Sequence, residues 1–180
     1  MLVLAACSSS ASKESKEKDS IGSGGAGHSS VAGRETERTP PVSETARKRA
    51  TAAYLDMWRD TAQAAKTSDW KSPRLARHAT GEALKTITRG MYADHRNGLI
   101  AKGMPENAPK VTKVTPVADP TTVVISDCGD SSHWLKYRKK TGELADDKPG
   151  GRQSITAEVE KQGDGGWKVT RFAVWEVGSC

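Results

Sequence analysis

Three thiols and a short run of carboxylates and histidine carry most of the chemistry available to this 180-residue sequence. The thiols are Cys7, Cys128 and Cys180. Asp127, Asp130 and His133 set oxygen and nitrogen donors at three-residue steps, a spacing that can serve a metal ion. That stretch also holds Gly129 and Ser131-Ser132 and reads as a polar turn, so neither a metal nor another cofactor is expected there. Acid–base catalysis needs a carboxylate and a hydrogen-bond donor held together. Asp56, Tyr54, His95, Asp127 and Tyr137 are the groups that could supply them, and their spacing pairs none of them. Gly-x-Ser-x-Gly, Cys-x-x-Cys and a phosphate-binding glycine loop are absent.

These residues need a body to position them, and it begins near Ser43. Residues 8–42 hold no aromatic side chain and include Ser8-Ser9-Ser10 and Gly22-Ser23-Gly24-Gly25-Ala26-Gly27. Such a stretch buries too little apolar area to offset its ordering entropy, and is expected to be a disordered tether. From Ser43, with Pro40-Pro41 as the upstream stop, Ala46, Ala50, Ala53, Tyr54, Met57, Trp58, Thr61, Ala64 and Ala65 recur at three- and four-residue steps. That period predicts a long amphipathic helix ending near Lys66. Ser72-Pro73 opens a short second helix through His78. Thr80 caps a third, with Ala83, Leu84, Ile87 and Met91 facing inward and Asn97-Gly98 as its end.

After Gly103 the pattern turns to strand. Lys110–Val117 and Thr121–Asp127 flank the turn pair Asp119-Pro120, and Trp134–Tyr137 is a shorter strand. Ile155, Ala157 and Val159 alternate with Thr156, Glu158 and Glu160, and Gly163-Asp164-Gly165-Gly166 then turns the chain into Trp167–Val177. Three helices followed by an antiparallel sheet make an α+β fold.

The formal charge is +6. Residues 8–42 contribute none of it, because Lys13, Lys16, Lys18, Arg34 and Arg38 balance Glu14, Glu17, Asp19, Glu35 and Glu37. The body from Ser43 to Cys180 therefore carries the excess, which suits lipid headgroups or wall polymers as neighbours. No nucleic-acid motif accompanies the basic residues, so nucleic acid is not an expected partner. No stretch approaches the roughly 20 apolar residues that cross a bilayer.

Met1-Leu2-Val3-Leu4-Ala5-Ala6-Cys7 is apolar and ends in small residues before a cysteine. Leu4-Ala5-Ala6-Cys7 resembles the lipobox of bacterial lipoproteins, in which the cysteine thiol takes a diacylglyceryl group and becomes the new N-terminus. The resemblance implies an exported protein held by lipid on Cys7 at the outer face of the cytoplasmic membrane. Only six residues precede the cysteine, too few for a signal peptide, so the signal is expected to begin upstream of Met1. Residues 1–7 are then the signal remnant, 8–42 the tether and 43–180 the body. With Cys7 taken by lipid, Cys128 and Cys180 remain, and an even remainder in an exported domain reads as a disulfide. The alternative is two buried free thiols.

Tyr54, Trp58 and Asp69-Trp70 near the first helix end, Ala79-Thr80-Gly81-Glu82-Ala83-Leu84 at the third helix and Gly166-Trp167-Lys168-Val169 in the last strand follow the order of the nuclear transport factor 2-like superfamily. The body resembles that superfamily, and in particular actinobacterial lipoproteins of its class with an Asp-Cys motif such as Asp127-Cys128. The resemblance implies a curved sheet wrapped round the first helix as a cone with a pocket, and Tyr54, Trp58 and Trp134 are the expected lining. Two functions follow from it. One is a non-catalytic binding or scaffolding domain for a small apolar ligand or an envelope protein. The other is a cyclase- or isomerase-like enzyme, since ketosteroid isomerases and polyketide cyclases share the fold. The first is favoured because no acid–base pair is legible.

In cells that carry the full-length gene, Cys7→Ala is expected to abolish labelling by a palmitate analogue. Labelling that survives the substitution refutes the lipid anchor.

Overall fold

The computed structural model describes residues 41–145 and 150–180. The proposed lipid-bearing Cys7 and nearly all of the expected tether lie outside the described residues. Helix α1 runs from Val42 to Ala65, and every residue of the stripe read from the sequence is buried on it. It starts one residue before Ser43: Pro41 takes the cap position, and its carbonyl receives the amides of Glu44 and Thr45 at 2.9 and 3.1 Å. Proline has no N–H to lose there, so the position costs the helix nothing. Past Ala65 the chain reverses through Ser68, which adopts the left-handed conformation at φ 54° and donates its buried hydroxyl to the Leu99 carbonyl.

Helix α2 (Leu75–His78) is shorter than the sequence implies, because Pro73 and Arg74 form a turn that leads into it. Helix α3 (Gly81–Arg96) buries Ala83, Ile87 and Met91 and half-buries Leu84. Its first turn is pinned to the sheet by Thr80 N–H donating to the Val169 carbonyl at 2.9 Å.

Among the described residues six strands follow: β1 (Leu99–Lys102), β2 (Lys110–Thr115), β3 (Thr122–Asp130), β4 (Leu135–Arg138), β5 (Arg152–Lys161) and β6 (Trp167–Val174). They form two sheets rather than the single sheet expected. One is four-stranded in the order β2-β3-β5-β6 and the other pairs β1 with β4, with antiparallel neighbours throughout. Strand β1 escapes a sequence reading because four residues directly after a helix stop show no period. The strand expected to end at Asp127 continues to Asp130, because β5 supplies partners as far as Asp130↔Arg152. The turn expected over Asp127–His133 is therefore confined to residues 131–134. The last strand stops at Val174 and not at Val177.

Along β3 the burial alternates, so that Val123, Ile125, Asp127 and Gly129 face the core while Cys128 faces outward. The core lies between this face, α1 and α3, with Ile155, Ala157 and Val159 from β5 and Trp167 and Val169 from β6. On the opposite face Cys128 is bridged to Cys180, with Cα atoms 5.9 Å apart. The bridge fastens the chain after β6 back onto β3, and Ser179 Oγ accepts the Ser154 amide at 2.8 Å beside it.

The bridge closes a separation of 52 residues, worth about 4 kcal/mol on a chain-entropy account. Reduction is expected to lower the melting temperature clearly. Cys180→Ser should reproduce that loss, and a variant that melts like the parent shows that the terminus adds nothing.

Candidate functional site

A cavity of about 280 Å³ lies where α1 and α3 meet both sheets. Helix α1 gives it Trp58, Thr61 and Ala65, and α3 gives Thr86, Ile87, Gly90, Met91 and Asp94. Ala101 of β1, Lys136 of β4 and Phe172 of β6 complete the wall, together with Trp134 from the turn before β4. The lining is mostly apolar, and besides Thr61 and Thr86 its polar groups are Lys136 Nζ and Asp94 Oδ1, which pair at 2.7 Å. Thr61 adds no free donor, since its hydroxyl donates to the Met57 carbonyl at 2.8 Å one turn back.

Trp58 is the centre of the wall. Its ring meets Phe172, Trp134 and Tyr54 edge to face at centroid distances of 5.4, 6.2 and 6.3 Å. Such pairs contribute about 0.5–1.5 kcal/mol each beyond area burial. Trp134 is set by its turn: the Asp130 carboxylate accepts the Ser132 amide and hydroxyl at 2.8 and 2.5 Å, and the Trp134 amide donates to the Ser131 carbonyl at 3.0 Å. Those two donors from Ser132 hold the Asp130 carboxyl below the usual carboxylate range. Gly103 fixes the turn from the other side, because at φ 84° a Cβ there would collide with the His133 carbonyl oxygen.

Both indole N–H groups, of Trp58 and Trp134, are buried with no acceptor in hydrogen-bond geometry. The Trp58 N–H stands near enough to the Tyr54 hydroxyl to favour its phenolate slightly, but makes no proper bond to it. Orphaned buried donors are rare in native proteins. Both donors are enclosed in the aromatic packing and present no accessible surface to the cavity.

Tyr54, expected in the lining, is absent from it. It is fully buried beneath Trp58, and its hydroxyl donates to Asp127 Oδ2 at 2.8 Å across 73 residues of sequence. The register of β3 turns Asp127 inward, and packing against α1 meets it with the tyrosine. Asp127 is 4% exposed, and its carboxylate has two further donors: Asn107 Nδ2 to Oδ2 at 2.6 Å and the Ala108 amide to Oδ1 at 2.7 Å. Burial first, and then the charge and hydrogen bond of Asp127, push the Tyr54 hydroxyl far above its ordinary value. The tyrosine therefore only donates at physiological pH. With the folded value raised, its stabilising effect is complete below the ordinary phenol value near 10 and is lost as pH climbs above it. Sequence spacing missed this pair, a carboxylate and a tyrosine in contact but sealed off from the cavity.

A second buried carboxylate went unnoticed in the sequence. Asp60 sits among the buried residues of α1 and accepts from Arg77 at 2.7 Å and Arg74 at 3.3 Å, with His78 Nδ1 at 2.9 Å. The visible signal was an acid within the apolar stripe followed by cations at residues 74, 77 and 78. Asp56 pairs with Arg59 on the half-exposed side of α1. His95 is exposed near the end of α3, and Tyr137 lies on β4 under Lys102 Nζ at 4.3 Å. Asp127, Asp130 and His133 do not converge, and among the described residues no three acidic, histidine or cysteine side chains are placed to hold a metal ion.

No family model matches the chain, and no curated protein matches it. Among solved structures it is similar to the intermembrane space region of the chloroplast protein ARC6, at 20% identity and a TM-score of 0.43 over 74% of this chain and 96% of that one. It is also similar to a ketosteroid isomerase-like protein from Erwinia carotovora atroseptica SCRI1043, at 11% identity and a TM-score of 0.40 over 71% of this chain and 92% of that one. At that level neither neighbour transfers a function to this chain.

Asp127→Ala orphans three donors at once. Each buried unsatisfied group costs about 1–3 kcal/mol, so a loss of roughly 3 kcal/mol or more is expected in urea unfolding. Tyr54→Phe should cost only about 1 kcal/mol. A loss under 1 kcal/mol for Asp127→Ala contradicts this account of the network.

Proposed function

We propose that this chain is a lipid-anchored, extracytoplasmic binding module of the nuclear transport factor 2-like type. In this reading its cavity takes a small apolar molecule. One observation carries the ligand assignment: a cavity of about 280 Å³ bounded by the apolar side chains of Trp58, Ile87, Met91, Ala101, Trp134 and Phe172. Apolar walls with a few polar groups are what small-molecule sites offer. The anchor rests on the lipobox-like Leu4-Ala5-Ala6-Cys7, and the Cys128–Cys180 bridge suits an oxidising compartment outside the cytoplasm.

A binding role is preferred to catalysis because of where the acid lies. Proton transfer from a substrate needs a carboxylate within hydrogen-bond reach of it. Asp127 is saturated by three protein donors beneath the aromatic layer, and Asp60 is held by Arg74, Arg77 and His78. Asp94, the carboxylate that lines the cavity, is paired with Lys136.

Gly90 provides the test. It lies on α3 at the cavity, and a Cβ there meets nothing within 4 Å. Gly90→Leu should fill the space while gaining about 0.5–1 kcal/mol of helix propensity, so that lost binding cannot be attributed to unfolding. Calorimetric titration is expected to show saturable binding of 1-indanone by the parent and none by Gly90→Leu. Binding that persists in the variant, or no binding by the parent, rejects the cavity as the site. Turnover of an enolisable ketone that Asp127→Asn removes, with the fold intact, assigns the protein to the enzymes instead.

A further inference from the structure

The exposed side of α3 and the turn after α1 share a patch that the cavity does not use. Trp70 and Tyr92 pack edge to face at 5.1 Å and 74°, and Tyr92 is 44% exposed. Lys71 Nζ lies 4.8 Å from the Trp70 ring centroid. Lys85 and Arg89 line a shallow depression on one side of the rings, and Lys71, His95 and Arg96 line its neighbour on the other. Two carboxylates stand close by. Glu82 is taken by Lys85 at 2.7 Å, and Asp69 lines the second depression. Among the described residues Lys71, Arg89 and Arg96 form no ion pair.

We propose that this patch seats the body on an anionic lipid surface. The cations supply attraction to headgroups, and amphipathic rings beside them settle at the level of the headgroups, as Trp and Tyr do at membrane interfaces. Charge complementarity points the same way, since the body carries the whole +6 excess of the chain. A single-stranded nucleic acid would ask for open ring faces on which bases stack. Here Lys71 lies over a face of Trp70 and Tyr92 packs edge to face with it, so the two rings are steeply inclined and offer no shared stacking plane. The inference stands on surface residues and is independent of the ligand reading.

The test is co-sedimentation of the full chain carrying Cys7→Ser, so that no acyl chain contributes. The vesicles are phosphatidylcholine alone, or the same lipid with one third phosphatidylglycerol, at physiological salt. The parent should partition at least tenfold more strongly into the anionic vesicles. Joint substitution Lys71→Gln, Arg89→Gln and Arg96→Gln should reduce that partition about tenfold, and Tyr92→Ser should reduce it severalfold with the melting temperature held. A control triple far from the patch, Arg49→Gln, Lys110→Gln and Lys113→Gln, should leave most of it intact. The proposal is overturned by no preference for anionic vesicles, or by an equal fall in the control triple. It is also overturned if soluble polyphosphate binds the parent equally well and Tyr92→Ser changes nothing, which makes the patch a general polyanion site.

Discussion

The fold is organised around a carboxylate at an inward position of a central strand. Asp127 follows the β3 alternation that puts Val123 and Ile125 into the core, and an isolated charge there would be costly. The cost is offset by three donors from two other segments: Tyr54 on α1, and Asn107 and Ala108 in the connection to β2. Removing any one segment leaves the others with unmatched polar groups, so the arrangement fixes one rotation of α1 over the sheet. Apolar packing alone would tolerate neighbouring rotations, because most of the α1 stripe is alanine.

The rotation of α1 decides the site. With Tyr54 turned down to Asp127, Trp58 one turn later faces Phe172 and Trp134, and the three rings make a wall instead of a filled core. Trp134 reaches that wall from a turn whose shape comes from Asp130, Ser132 and the close approach of Gly103. The cavity is thus a product of the same packing that seals Asp127 away from it. A buried acid that holds the scaffold is removed from chemistry by the bonds that stabilise it, which supports the proposed binding role over a catalytic one.

Adjacent residues on β3 serve opposite faces. Asp127 ties the inner face to α1, while Cys128 ties the outer face to the C-terminal residue through its disulfide. Strand alternation makes this possible without a bulge, because successive side chains point to opposite sides. The strand is fixed on both faces next to the turn that carries Trp134, so the site wall rests on one of the most constrained parts of the sheet.

Much of this was legible in the sequence wherever a period or a composition repeats. The α1 stripe, the inner face of α3, the alternation over Ile155–Glu160 and the final hairpin all follow from local spacing, because one buried face imposes one period. The α+β class follows from element order, whereas the pairing of Cys128 with Cys180 was expected only on assigning Cys7 to lipid. Local spacing could not show the division into two sheets, since β1 is too short for a period and exists only because β4 pairs with it. Nor could it place Tyr54 against Asp127 or Asp60 against Arg77, which are contacts across 73 and 17 residues made by register and helix rotation. Sequence determined which residues are apolar, polar or reactive. Tertiary structure decided which of them meet, because burial makes each unpaired charge and donor costly and so selects the one packing that satisfies nearly all of them.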